Sequence, residues 1–236
     1  MVKIKITDTE RQSGGIDYTA KSIAPLVGDL GGEMQTFKGF GRAELTVSCP
    51  ERYQDLFRSE IESKVAEVLA ISHKNAFLRR KIHPAGLSGY QMEILYTAVI
   101  SADIEDDKRY ILRRLRGLEN YHLDGVYNFK LRPLKNKWKE IAGYIPMVFS
   151  HKQLVDFVAF VAGEKRGKRV IVKDGKVFDG NYNLLQKSVL LGERVDIIKE
   201  ILLSASGSVQ VSGKISQEQE KYLKGFFGKR VNFNCF

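Results

Sequence analysis

The sequence predicts an α+β protein, and three observations carry that reading. An alternating apolar and polar run opens the chain at Val2. Long stretches with apolar residues at helical spacing fill its middle, and a hairpin pattern followed by helix, strand, helix and strand closes it. The expected division is an N-terminal element of strands and a hairpin over 1–50, a helical domain over 51–162 and a mixed α/β module over 163–236.

Residues 2–7 alternate as a half-buried strand does. Residues 16–30 carry a weaker helical pattern, interrupted by Pro25 and stopped by Gly31-Gly32. Residues 34–40 and 42–49 read as the two strands of a hairpin, with Ala43, Leu45 and Val47 on one face. Pro50 suits the first turn of a long helical pattern over 51–81, whose inner stripe holds Leu56, Phe57, Ile61, Val65, Val68, Leu69 and Ser72. His83-Pro84-Ala85-Gly86 breaks it. Ser88 and Gln91 then form a capping-box pattern for a helix carrying Ile94, Leu95, Ala98, Val99 and Ala102. Another helix starts at Glu105-Asp106-Asp107, where acids suit the dipole, and buries Ile111, Leu112, Leu115 and Leu118.

In residues 123–141 the apolar positions Tyr127, Leu131, Leu134, Trp138 and Ile141 fall at spacings of four, three, four and three, a helical stripe. Pro133 lies within it and either kinks the helix or starts a new one. Residues 150–162, capped by Ser150, are apolar on most sides and predict a buried helix. Asp174-Gly175 is the tight turn of a hairpin over 169–178. Next come a short apolar run at 189–191, an amphipathic helix over 193–203 and a strand at 208–211. A helix at 216–227 and a strand at 230–235 end the chain, and a crossover can join the last two strands in parallel.

The compositional outlier is a net charge of +10, which attracts polyanions such as nucleic acid, an acidic protein or acidic lipid, and which also serves solubility. No apolar run approaches the roughly 18–20 residues needed to span a bilayer. The N-terminus lacks the plan of a signal peptide. Two cysteines, Cys49 and Cys235, lack metal-ligand spacing, so a cytoplasmic protein with reduced thiols is expected, with Cys49 packed on its strand.

The positive charge is clustered. Arg109, Arg113 and Arg116 share a helix face with Arg114 beside them, and Lys130, Arg132, Lys135, Lys137 and Lys139 decorate the next segment. Lys74, Arg79, Arg80 and Lys81 sit near a helix C-terminus, where the dipole alone favours cations. Guanidinium groups at helical spacing can meet successive phosphates, and the same row also makes an ordinary solvated face. Tyr110, Tyr121, Tyr127, Phe129 and Trp138 interleave with the cations as stacking rings do, although Tyr127 and Trp138 lie on the apolar stripe and are expected in the core.

Catalytic and metal signals are weak by comparison. The run from Gly163 to Arg169 has three residues between its glycines and Arg169 after Lys168, so it is a basic turn and not a phosphate loop. Glu105, Asp106 and Asp107 have no second acidic group to complete a metal site. The four histidines are scattered, and His122 beside Asp124 is a poor dyad because geometry, not adjacency, makes one. No cofactor, catalytic residue or metal ligand is expected.

Three features resemble the YtxC-like family of sporulation-associated proteins of endospore-forming Gram-positive bacteria. They are the run from Leu123 to Leu131, the apolar helix from Leu154 to Val161, and the tail in which the Val195 helix leads to short strands and Arg230-Val-Asn-Phe-Asn-Cys235. The resemblance spans 51–236 and departs at Pro133 and in a tail with one cysteine where the family has more. It implies a cytoplasmic, non-enzymatic accessory protein acting through binding, and no catalytic residues carry over from it. The residues themselves support an alternative: nucleic-acid binding through Arg109, Arg113, Arg114, Arg116, Lys130, Arg132, Lys135, Lys137 and Lys139. An enzyme assembled from distant residues is a third possibility, which requires a pocket with converging ionisable groups.

Overall fold

Ile4 and Ile6, inward residues of the opening alternation, are fully buried in strand β1 (Val2–Thr9). They belong to the first of two units in the computed structural model, which describes residues 1–165, 168–192 and 194–234. Unit one comprises Met1–Phe77 and Glu105–Ile141, and unit two Leu78–Ile104 and Ala142–Phe236.

In unit one, helix α1 (Ser13–Asp29) runs through Pro25 and ends at Gly31, whose φ of +67° lets the Gly32 amide donate to the Val27 carbonyl at 2.9 Å. Strands β2 (Glu33–Gly39) and β3 (Arg42–Cys49) form the expected hairpin around Phe40-Gly41, both at positive φ. Ala43, Leu45, Val47 and Cys49 are all fully buried on one face. Burial also pushes the Cys49 thiol up.

Helix α2 (Gln54–Val68) continues through a π-helical turn, Leu69–His73, into α3 (Lys74–Leu78). Phe57, Ile61, Val65, Val68 and Leu69 are buried as the stripe predicts, whereas Leu56 lies exposed on the first turn. The wider π turn rotates the later register, so His73 and Lys74 face inward and Ser72 lies beside them, bonded to Gln12 at 3.0 Å. The two expected helices form and run into one another as α4 (Gly89–Leu115). Asp103, with φ −129° and ψ 21°, marks the kink between the two patterns, and the Ser88–Gln91 capping box forms.

Strand β4 (Tyr121–His122) pairs in parallel with β1, giving the sheet order β2-β3-β1-β4. After α5 (Leu123–Gly125) and a second π turn, Val126–Lys130, the backbone breaks at Leu131 and α6 (Arg132–Gly143) begins. Pro133 therefore starts a new helix, in a first turn where its missing amide costs nothing.

In unit two, α7 (His151–Gly163) carries the Ser150–Gln153 capping box. It is amphipathic and not buried all round: Leu154, Val158 and Val161 are buried, but Phe160 is 66% exposed. Strands β5 (Arg169–Lys173) and β6 (Lys176–Asp179) turn at Asp174-Gly175, both at positive φ, and β7 (Leu184–Leu185) follows. Helix α8 (Ile197–Leu203) starts later than expected because Asp196 is its N-cap, accepting from the Lys199 amide at 2.9 Å. Strand β8 (Ser208–Ser212), α9 (Gln217–Phe227) and β9 (Val231–Asn234) complete a sheet ordered β7-β6-β5-β8-β9. Its β5–β8 and β8–β9 pairs are parallel, and Cys235 of the expected last strand lies outside the described residues.

The two units cut across the spans 1–50, 51–162 and 163–236. Residues 51–77 and 105–141 join the first sheet because α2 packs on α1 and β4 pairs with β1. Residues 142–162 join the second unit, where α7 packs on α9. No helix among the described residues is long and apolar enough to cross a membrane.

Candidate functional site

All nine cations of the candidate set lie in unit one, within residues 105–141, which hold ten Lys and Arg against six Asp and Glu. On α4 the buried residues Asp107, Ile111 and Leu115 recur every fourth position. At about 100° per residue, Arg109, Arg113 and Arg116 fall within roughly 60° of one another on the far side. All three are exposed, as is Arg114. The guanidinium groups of Arg113 and Arg114 lie 6.0 and 5.1 Å from the Tyr110 ring, and Arg114 donates to the Tyr110 hydroxyl at 3.1 Å. Tyr110 thus holds both arginines without removing their charge. Arg109 pairs with Asp106 at 3.6 Å, an exposed contact of little strength.

Along the second segment, Lys130, Arg132 and Lys139 are exposed. Lys135 sits 4.6 Å from the Tyr127 ring, and Lys137 reaches Asp107 Oδ1 at 3.4 Å. These two lysines are engaged by the fold. Arg113, Arg114, Arg116, Lys130, Arg132 and Lys139 form no ion pair among the described residues. Of the interleaved aromatics, Trp138 and Tyr121 are fully buried, and Tyr127 and Tyr110 are half-buried. Phe129 is 83% exposed, three residues from Arg132 and next to Lys130.

A polar cluster beneath this surface was not legible in the sequence. Asp107 Oδ2 accepts from Lys74 Nζ at 2.7 Å and from Trp138 Nε1 at 2.8 Å, with Lys74 and Asp107 fully buried. Asp107 is therefore neutralised inside the fold, and it ties α4, α3 and α6 together. Beside it His73 Nε2 lies 3.0 Å from Asp8 Oδ2, Asp8 Oδ1 accepts from the Thr9 amide at 2.8 Å, and the Tyr127 ring covers His73 at 5.0 Å. The two π turns supply His73 and Tyr127, and a π turn in the pattern is the signal that strict 3.6 periodicity hides.

His122 bonds Thr7 Oγ1 at 2.8 Å, a consequence of the β1–β4 pairing that sequence adjacency to Asp124 does not convey. No group of three metal-ligating side chains occurs among the described residues. In unit two, Gln91, His151, Glu218, Lys221 and Tyr222 line a cleft of about 220 Å³. There His151 Nδ1 meets the Gln91 amide at 3.1 Å, so its partner is a neutral group and not a carboxylate that would polarise it. No family model matches the chain, and neither curated proteins nor solved structures include a match.

Proposed function

We propose that this chain is a cytoplasmic accessory protein that binds nucleic acid through the outer face of α4 and through residues 129–139. The observation that carries this reading is the set of six exposed cations without an ion-pair partner among the described residues, with Phe129 exposed among them. Cations already neutralised by acids have little to offer a phosphate. These six can displace condensed counterions from a polyanion, which drives association entropically. Phe129 adds a ring on which a base can stack. The buried Asp107 contacts hold the two helical segments in place, so binding does not have to order them. The resemblance to the YtxC-like family supports placing this role in endospore-forming cells.

Mobility-shift titrations with single- and double-stranded DNA and RNA at low salt test the reading. The protein retards at least one of them, and Arg113→Glu weakens that binding by roughly tenfold, because it replaces an attraction to phosphate with a repulsion. Absence of any shift at low salt would overturn it.

A further inference from the structure

The five-stranded sheet of unit two has two unlike faces. Strand pairing puts Val170, Val172, Val177, Val209, Val211 and Val231 on one side, each at most 8% exposed. The crossover from β7 to β8 through α8 and that from β8 to β9 through α9 step the same way across the sheet. Right-handed crossovers that step the same way put both of their helices, α8 and α9, on one face. Helix α7 packs on α9 and joins that layer, with Val155 against Gly225.

The other face has no helix of this layer over it. It presents Arg169, Ile171 and Lys173 from β5, Lys176 and Phe178 from β6, Gln210 from β8 and Asn232 from β9, with Ile171 at its centre only 4% exposed beneath its long neighbours. Arg169, Lys173, Lys176 and Asn232 are exposed, and Phe178 and Gln210 are half-buried. The only acid in the five strands, Asp179, is paired with Val170 and so lies on the valine side. Lys173 and Lys176 stand directly opposite each other across the hairpin, with no ion pair to either among the described residues. Like charges in opposed positions destabilise a sheet, and a face holding both signs would avoid the penalty. Arg169 lies along the sheet, donating to the Gln210 side chain. Three cations with no acid among the strand residues of this face, an unrelieved lysine pair, a ring and two amides together match one class of ligand.

We propose that this face binds single-stranded nucleic acid. Arg169, Lys173 and Lys176 meet phosphates, the Phe178 ring stacks on a base, and the Gln210 and Asn232 amides meet base edges. A single strand is the fitting occupant because the ring and amides need unstacked bases, which a duplex keeps inside. The residues differ entirely from those of 105–141, so either surface stands without the other.

Lys173→Glu in the full chain separates binding from folding. Opposite Lys176 it converts a repulsive cross-strand pair into an attractive one, so the variant melts at a higher temperature than the parent. The same change weakens binding of an oligothymidine by roughly tenfold, and weakens a duplex of equal length less. Phe178→Ala, which leaves the charge unaltered, also weakens the oligothymidine selectively. Both effects persist on an Arg113→Glu background, so failure of the α4 surface and failure of this face are read independently. Oligothymidine binding unchanged by Lys173→Glu overturns the proposal, as does an equal loss for duplex and single strand.

Discussion

Replacing Lys74 with methionine asks whether the buried ion pair holds unit one together. Lys74 Nζ and Asp107 Oδ2 are 2.7 Å apart, and neither side chain is exposed. Removing one partner of such a pair leaves a buried, uncompensated charge and costs about 3–5 kcal/mol. Asp107 keeps the Trp138 indole at 2.8 Å, and the partly exposed Lys137, at 3.4 Å, can move closer. The expected loss is therefore at the lower end, about 3 kcal/mol. Asp107→Leu strands the Lys74 ammonium and costs a similar amount, about 3 kcal/mol. In Lys74→Met/Asp107→Leu no charge is stranded, and the main residual cost is the unpaired Trp138 N–H, about 1–3 kcal/mol. The double-mutant cycle then shows a coupling of about 3–5 kcal/mol between the two positions. Trp138 is the only tryptophan of the chain and lies in unit one, so urea unfolding followed by its emission reports that unit. A Lys74→Met variant within about 0.5 kcal/mol of the parent would show that the ion pair does not hold the unit, since that is the range of an ordinary surface change.

Two further outcomes follow from single side chains. The Tyr121 hydroxyl is pushed up to about 12, first by burial and then by its bond to Glu62 at 2.8 Å. A raised phenol contributes stability that is full below its unfolded value near 10 and is lost as pH climbs from there towards 12. Tyr121→Phe gives up a hydrogen bond worth about 1 kcal/mol at neutral pH and makes the alkaline loss shallower, as read by Trp138 emission between those limits. An unaltered pH profile would contradict it. Phe40 is fully exposed at φ +53° in a two-residue turn that favours Asn there, and its ring stacks on Phe37 at 6.4 Å. Phe40→Asn should stabilise thermal unfolding by about 0.5–1 kcal/mol, and destabilisation would show that the ring contact outweighs the strain.

Features decided within a few residues were legible in the chain. The Ser88–Gln91 box, the Ser150 cap and the Asp174-Gly175 turn form as the sequence predicts, because each is closed by its own neighbours. Lys74 shows the opposite case. A lysine in a helical pattern reads as solvent-facing, and only the π turn before it and Asp107, thirty-three residues away, put it inside. Strand β4 is two residues long and exists because β1 offers it an edge, so no local pattern announces it. The apolar content of α7 overstated its burial because Phe160 faces outwards. Within the candidate site, exposure of the arginines and the burial of Trp138 follow from periodicity. The engagement of Lys135 by Tyr127 and of Lys137 by Asp107 depends on how α6 packs, which spacing does not encode.

The salt dependence of nucleic-acid binding counts the phosphates that the cations of residues 105–141 engage. If six cations each neutralise one phosphate, log K falls against log salt with a slope of about −4 for single strands and about −5 for duplex. Arg113→Gln/Arg116→Gln removes two of them and should make the single-strand slope shallower by about 1.4, with the fold unchanged by circular dichroism. A slope near zero, or one that the two substitutions leave as steep as the parent's, would show that these cations do not meet phosphates.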